Sequence, residues 1–263
     1  MAYAGGKMLA EVDSGIGLIT FNNPERRNAM SVEMWQGLVE ILDRFEADPA
    51  VRVLVLTGAG AKAFVSGADI SQFDSQRADS NAQQEYDRIT SAARDRLGRF
   101  PRPVIARIRG YCQGGGVALA LQADLRIAAE DSEFGIPAAR LGLAYGPAMV
   151  RQLVALVGSG HARMLLYTGT RIDAREAARI GLVNQVVPDA DLSDVVVDLA
   201  RTIADNAPLS IRAAKLAVTA AENPDAVDRD ELDAAVAACF DSEDYKEGRA
   251  AFAEKRSPRF RGV

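Results

Sequence analysis

The sequence has only one histidine, His161, among its 263 residues. A Ser-His-Asp hydrolase needs a histidine beside its nucleophile, and zinc sites commonly use several histidines or cysteines. The two cysteines, Cys112 and Cys239, are far apart and match no metal-binding spacing. These shortages disfavour a histidine-dependent hydrolase and predict no metal site. So few cysteines also favour a reduced, cytoplasmic protein over one held by disulfides.

Long apolar runs and an excess of positive charge are also missing. No stretch approaches the roughly 20 apolar residues of a membrane-spanning helix, and the N-terminus shows no signal-peptide pattern. The net charge of −5 does not favour nucleic-acid binding. We therefore predict neither a membrane nor a nucleic-acid partner. The remaining composition, 48% hydrophobic and 25% charged, is that of an ordinary globular protein.

Hydrophobic patterning predicts an α/β core followed by a helical tail. Ser31 is a candidate N-cap for a first helix that ends at Asp48-Pro49. Residues 71–99 are polar and compatible with a helix, with a loop near residues 74–81, and the chain becomes mainly helical from Met149. Short apolar or β-branched runs predict strands at residues 8–12, 16–21, 51–56, 104–108, 125–129 and 182–187, with a hairpin turn at Asp13-Ser14-Gly15.

The most informative stretch is residues 110–121, Gly-Tyr-Cys-Gln-Gly-Gly-Gly-Val-Ala-Leu-Ala-Leu. It follows a predicted strand and continues into good helix formers, so it predicts a strand, a glycine turn and a helix. The first N–H groups of a helix have no intrahelical partner, and the helix dipole is positive there. Glycines leave those groups open to a ligand. The stretch therefore predicts a place for an oxygen that carries negative charge, and it does not match the Gly-x-Gly-x-x-Gly dinucleotide motif.

Three stretches together resemble the crotonase (enoyl-CoA hydratase/isomerase) family: residues 63–70, residues 110–121, and Phe134-Gly135-Ile136-Pro137 with Leu141-Gly142-Leu143. The resemblance covers nearly the whole chain in the right order. It implies a crotonase/ClpP-like spiral of ββα units over residues 1–200 and a helical oligomerisation region over residues 201–263. It also implies a homotrimer or a dimer of trimers, and no cofactor beyond the CoA moiety of the substrate.

The resemblance also implies a site for an acyl-CoA thioester. Its carbonyl oxygen would lie between the backbone N–H groups of Ala68 and Gly115 and become an enolate oxyanion during the reaction. Arg26 and Arg27 would lie along the pantetheine and phosphates, and residues 66–70 beside the adenine. Asp69, close to the first donor, is more typical of a loop-bonding or capping residue than of a proton carrier. The expected substrate contacts are Arg26, Arg27, Ser66, Asp69, Ile70, Gly114, Ala118, Pro137, Ala138 and Leu141.

The sequence departs from the hydratase pattern at two positions. Hydratases of the family use two glutamates, and both corresponding positions here are alanine, Ala118 and Ala138. Alanine cannot transfer a proton, so the family's usual hydration chemistry is not expected. Tyr145 resembles a tyrosine of the methylmalonyl-CoA decarboxylase branch, although that branch has a histidine where this chain has Ala68.

Three functions stay open on these residues. The first is an acyl-CoA lyase or isomerase of the family that stabilises a thioester enolate. The second is a malonyl-type decarboxylase that uses Tyr145 as a donor. The third is a family member that binds acyl-CoA without turnover. A serine peptidase of the related spiral fold is disfavoured because the single histidine lies outside the expected site.

Overall fold

The computed structural model describes residues 1–69 and 80–263 of the chain. Ile70 and most of the predicted loop near residues 74–81 lie outside the described residues. The described strands are β1 (Ala2–Tyr3), β2 (Met8–Asp13), β3 (Ile16–Phe21), β4 (Val53–Gly58), β5 (Ala63–Val65), β6 (Val104–Ile108), β7 (Tyr111–Gln113), β8 (Leu125–Ala129), β9 (Glu133–Gly135), β10 (Ile172–Asp173) and β11 (Gln185–Val187). The described α-helices are α1 (Val32–Ala47), α2 (Ser80–Gly98), α3 (Gly115–Ala120), α4 (Pro147–Thr168), α5 (Ala174–Arg179), α6 (Leu192–Asp205), α7 (Pro208–Glu222), α8 (Arg229–Asp241) and α9 (Glu243–Glu254).

The strands form two sheets that the chain visits alternately. The larger sheet has the order β1-β2-β3-β4-β6-β8-β11, and the smaller has the order β10-β9-β7-β5. The pairs β4 and β5, β6 and β7, and β8 and β9 each place one strand in either sheet, and helices α2, α3 and α4 follow them. From β3 onward the larger sheet is parallel. This repeat confirms the predicted α/β spiral of ββα units.

Several local predictions are confirmed at the level of individual residues. β2 and β3 form an antiparallel hairpin, and Ser14 and Gly15 between them have positive φ angles of 49° and 84°. The N-cap of α1 is Ser31, whose hydroxyl accepts a hydrogen bond from the Met34 N–H. Strand β4 is buried along nearly its whole length, as expected for a central parallel strand.

The smaller sheet was missed by the sequence patterns. The passage from β6 to α3 is therefore not a simple strand, glycine turn and helix, because the short strand β7 intervenes. Strands β5, β7 and β9 have three residues each, which is too short to show a periodicity of two. Their existence depends on pairing with one another, which no local pattern reports.

Two apolar clusters hold the layers together. The larger is built around α1, β4 and the residues that follow β6. The smaller forms where α6 packs Leu192, Val196 and Ala200 against Val53 and Ile127 of the larger sheet. Helices α7 to α9 follow this packed layer, and the division into two regions at residue 200 stays a prediction. None of the described helices is both long and apolar enough to span a membrane.

Candidate active site

The first element of the site is the loop after β5, which is held by one residue of an earlier segment. Met30 forms an isolated parallel bridge with Ala68. The Met30 N–H donates to the Gly67 carbonyl at 2.8 Å, and the Asp69 N–H donates to the Met30 carbonyl at 3.0 Å. In a parallel bridge the middle residue directs its own N–H to the opposite side. The Ala68 N–H therefore points away from Met30.

The second element is the glycine turn between β7 and α3, in which each glycine meets a different requirement. Gly114 has φ 53° and ψ −111°, outside the regions that other residues favour. Its N–H donates to the Gly135 carbonyl at 2.8 Å, which fixes the turn against β9. A Cβ on Gly116 would lie 2.0 Å from the Val65 carbonyl oxygen, so no other residue fits there without movement. Gly115 lies between them as the first residue of α3.

These two elements meet at Ala68 and Gly115. A Cβ placed on Gly115 would be 3.7 Å from the Ala68 nitrogen, and a Cβ placed on Gly67 would be 3.8 Å from the Gly115 nitrogen. Across residues 1–69 and 80–263, no backbone hydrogen bond outside the regular helices and strands uses either of the two N–H groups. Two amides from separate segments thus lie side by side, and both are available to a ligand.

Tyr145 lies at the same place. Its hydroxyl is 3.2 Å from the position that a Cβ on Gly114 would occupy, and Cδ of Pro137 is 3.9 Å from that position. The tyrosine side chain is half-buried. Of the residues expected around the thioester, the fold therefore brings together Ala68, Gly114, Gly115, Pro137 and Tyr145.

The two alanines at the expected glutamate positions are buried. Ala118 belongs to α3, and its N–H donates to the Gly114 carbonyl at 3.1 Å. Ala138 follows Pro137 in a short 3₁₀ segment. Both methyl groups belong to the larger apolar cluster. These positions supply packing surface and no proton donor.

The far end of α3 is anchored by polar side chains. The Gln122 side-chain amide donates to the Ala118 carbonyl at 3.3 Å and pairs with the Gln152 amide. The buried Arg126 guanidinium donates to the carbonyls of Ala123 and Leu182. Burial lowers the pKa of Arg126, and its positive charge suits the C-terminal end of a helix. These contacts fix the helix that carries Gly115.

Several predicted CoA-contact residues lie around one ion pair, which joins the loop of residues 22–28 to the loop after β5. Arg26 Nη1 is 3.4 Å from Oδ1 of the buried Asp69, and the Ser66 hydroxyl donates to the Arg26 carbonyl at 3.3 Å. The Arg27 guanidinium carbon lies 5.1 Å from the centre of the Tyr111 ring. Asp69 thus links the loop after β5 to the loop of residues 22–28, and its non-catalytic role stays a prediction. Of the remaining contacts, Leu141 is exposed, and Ile70 lies outside the described residues.

Two residues that sequence reasoning missed support the site. Asn28 is fully buried, and its side-chain amide donates to the carbonyls of Ala59 and Ala63. These two hydrogen bonds connect the loop of residues 22–28 to β5 and the segment before it. The Asn28 φ of 56° is one that asparagine tolerates better than most residues. Arg94 of α2 lies near Tyr145, where burial lowers its pKa. Only the asparagine gives a sequence signal, as a turn residue after two arginines.

Other chemistry-bearing features lie apart from this site. Burial raises the pKa of the Cys112 thiol, so that thiol is not a nucleophile at neutral pH. A cavity of about 1480 Å³ lies between the C-terminal segment and the turn that joins β2 and β3, beside Arg52 and Arg256, and none of the candidate residues lines it. Within the described ranges, no three His, Cys, Asp or Glu side chains cluster as a metal site would require.

Comparison with known proteins assigns the chain to a family. The Enoyl-CoA hydratase/isomerase family model matches residues 11–263, which includes both elements of the site. The chain belongs to this family. The crotonase resemblance noted in the sequence is thereby confirmed, and so is the expectation of a family that acts on acyl-CoA.

Individual members of the enoyl-CoA hydratase/isomerase family match over almost the full length. The crotonyl-CoA hydratase of Syntrophomonas wolfei is 37% identical, with 99% of each chain covered. The short-chain-enoyl-CoA hydratase of Clostridium acetobutylicum is 33% identical, with 95% of each covered. A crystal structure of an enoyl-CoA hydratase/carnitine racemase from Magnetospirillum magneticum superposes with a TM-score of 0.93 at 37% identity, covering 98% of this chain and 96% of that one. The spiral is therefore the fold of this enoyl-CoA hydratase/isomerase family.

Proposed function

We propose that this chain binds an acyl-CoA thioester with its carbonyl oxygen between the N–H groups of Ala68 and Gly115. The observation that carries the proposal is the approach of these two amides from separate segments, 3.7 Å from the Cβ position of Gly115 to the Ala68 nitrogen. When electrons move onto the carbonyl oxygen, the resulting enolate is stabilised by hydrogen bonds from two N–H donors that are already oriented. Such fixed donors need no reorganisation during the reaction, and each is typically worth roughly 10²–10³ in rate.

Infrared spectroscopy tests this binding mode without knowledge of the reaction. An acyl-CoA labelled with ¹³C at the thioester carbonyl has a distinct stretching band. We expect that band to move to lower wavenumber when the thioester binds, because hydrogen bonds to the oxygen weaken the C=O bond. Binding without a shift would contradict the proposal, and so would the absence of binding. A shift without turnover on a broad substrate panel would favour the non-catalytic acyl-CoA-binding alternative.

A second candidate reaction is decarboxylation of a malonyl-type thioester, favoured by the position of the Tyr145 hydroxyl beside Gly114. In this reaction the bond between Cα and the carboxylate breaks, CO₂ leaves, and its electron pair forms the thioester enolate. A proton then returns to Cα, from the phenol or from water. No base has to remove a proton, which fits a site where Ala118 and Ala138 occupy the hydratase glutamate positions.

The role of Tyr145 as a proton donor can be tested by removing its hydroxyl group. If Tyr145 donates the proton, Tyr145→Phe should reduce product formation from methylmalonyl-CoA by about 10²-fold or more, the usual range for a positioned acid. Mass spectrometry of the acyl-CoA products measures it, with Tyr167→Phe, a change at an exposed tyrosine, as the matched control. Formation of the protonated acyl-CoA product at the wild-type rate in Tyr145→Phe would exclude this role. Rapid hydration of crotonyl-CoA would contradict our interpretation of both alanines.

We also propose that the chain forms a homotrimer or a dimer of trimers in the cytoplasm. Large apolar side chains of the C-terminal helices support an interface there: Phe240 is 61% and Phe252 88% exposed. Both cysteines are free, as a reducing compartment requires. Light scattering coupled to size-exclusion chromatography measures the subunit number. A monomer at micromolar concentration would contradict the assembly, and we expect Phe252→Asp to shift the equilibrium toward smaller species.

A further inference from the structure

Arg94 is a partly buried cation near Tyr145 of the candidate site, and it forms no ion pair with a carboxylate of the described residues. Arg94 is half-buried on α2. Its guanidinium donates to the Ser91 hydroxyl at 3.0 Å and lies 5.8 Å from the centre of the Trp35 ring. Among residues 1–69 and 80–263, no carboxylate forms an ion pair with it. Removing a charge from water without a counter-charge is costly, so this arrangement calls for an anion from outside.

Arg96, two residues after Arg94 on the same helix, has a different environment. Arg96 forms ion pairs with Asp43 and Glu46 of α1. Helix α2 therefore carries one arginine, Arg96, that is ion-paired within the chain, and another, Arg94, that has no carboxylate partner in the part of the chain that the structure describes. Since these side chains point in different directions from the helix, Arg94 is not simply a second member of the same surface network.

Arg94 is connected to the thioester site through Tyr145. Burial lowers the pKa of Arg94, and the phenolic groups of Tyr86 and Tyr145 oppose that effect more strongly than Asp95 and Asp87 do. Tyr145 in turn places its hydroxyl beside Gly114. The guanidinium is thus within electrostatic reach of Tyr145, whose hydroxyl lies beside the glycine turn that carries Gly115.

A second unsatisfied donor lies beside the arginine. The indole Nε1 of Trp35 is the one buried side-chain nitrogen or oxygen without a hydrogen-bond partner in the described part of the chain. It belongs to the ring that the Arg94 guanidinium overlies. The acidic residue that follows Ala68 in the chain, Asp69, is paired with Arg26. Among the described residues, this region therefore holds an indole N–H without a hydrogen-bond acceptor and a guanidinium without an ion-paired carboxylate.

We propose that Arg94 binds a carboxylate on the acyl part of the substrate, so that this chain acts on CoA half-thioesters of dicarboxylic acids. The proposal rests on the acyl-CoA function proposed above and specifies its substrate class. A planar guanidinium matches a carboxylate with two parallel hydrogen bonds. Such a pair stabilises the ionised carboxylate, so the group held by Arg94 is retained and orients the chain. A malonyl-type thioester has a single free carboxylate, so retention by Arg94 and the decarboxylation described above are alternative fates of that group.

Binding measurements separate this proposal from the general one. Isothermal titration calorimetry would compare malonyl-, succinyl- and glutaryl-CoA with the neutral butyryl- and hexanoyl-CoA. We expect Arg94→Gln to weaken binding of at least one carboxylate thioester by about tenfold to a hundredfold, the range for a hydrogen bond to a charged group. Neutral thioesters should change less than about twofold. Arg94→Lys should recover part of the loss, since it keeps the charge but not the fork.

The matched control is Arg96→Gln, which removes an arginine from the same helix and should leave the preference between carboxylate and neutral thioesters unchanged. If Arg94→Gln weakens both classes equally, or lowers the melting temperature without changing the preference, Arg94 is structural and the proposal is wrong. If the wild-type protein binds neutral thioesters but no carboxylate thioester depends on Arg94, this proposal alone fails. If no thioester binds at all, the acyl-CoA function fails, and this proposal fails with it.

Discussion

Gly115→Pro should lower kcat toward an acyl-CoA substrate by about 10²–10³-fold, the loss associated with one oxyanion donor. Proline lacks the amide hydrogen, and the first position of a helix is where a proline is best tolerated. The fold should therefore survive while one of the two donors disappears. The infrared shift of a bound ¹³C-labelled thioester carbonyl should shrink in the same variant, and circular dichroism should stay unchanged.

Gly115→Ala is the matched control for that experiment, because alanine keeps the amide hydrogen. A Cβ at this position meets only ordinary contacts, at 3.6 Å from Gly67 and 3.7 Å from the Ala68 nitrogen. A large loss confined to the proline variant would identify the N–H as the active group. Equal losses in both variants would show that open space at residue 115 matters rather than the donor. Full activity in a folded proline variant would exclude Gly115 as a donor.

Gly116→Ala should destabilise the protein by at least about 3 kcal/mol, at the upper end of the cost of overpacking. The added methyl would lie 2.0 Å from the Val65 carbonyl oxygen and 2.9 Å from its carbon. Both contacts are with main chain of β5, so neither strand nor helix can yield by a side-chain rotation. Urea unfolding followed by circular dichroism measures the change in free energy of unfolding.

Gly160→Ala is the comparison for this measurement. Gly160 is in helix α4, and no heavy atom lies within 4 Å of its Cβ position. Alanine is the better helix former by up to about 1 kcal/mol, so this variant should be equal to the wild type or more stable. If Gly116→Ala unfolds at the same urea concentration as Gly160→Ala, the close packing of α3 on β5 is not as tight as described.

The glycine triplet shows what the sequence could and could not predict. Its composition predicted a turn that exposes main-chain N–H groups, and the turn is confirmed. The three glycines have different physical reasons: Gly114 for its backbone angles, Gly115 for an unobstructed amide, and Gly116 for its contact with β5. The last reason depends on residue 65, about fifty positions earlier. No local pattern contains that distance, so the individual roles needed the three-dimensional arrangement.

Helix α2 shows the same limit for side chains. Its sequence is mostly polar, and the pattern predicted a helix there without indicating which polar side chain faces inward. Which polar side chain of α2 lies near the site depends on how α2 packs against α1 and on the position of the Tyr145 side chain. Arg94 and Arg96 are the same residue type on the same helix, yet among the described residues Arg96 has two carboxylate partners and Arg94 has none. The charge pattern of the sequence alone therefore could not identify Arg94 as a candidate carboxylate-binding residue.

The bridge between Met30 and Ala68 has a consequence for how such a protein can change over generations. The groups that this bridge orients are main-chain amides, which every amino acid except proline carries. Point mutations can therefore exchange the surrounding acids, tyrosines and arginines one at a time while the paired amides persist. A gene copy that loses one reaction in this way still encodes the amides on which another reaction can be built.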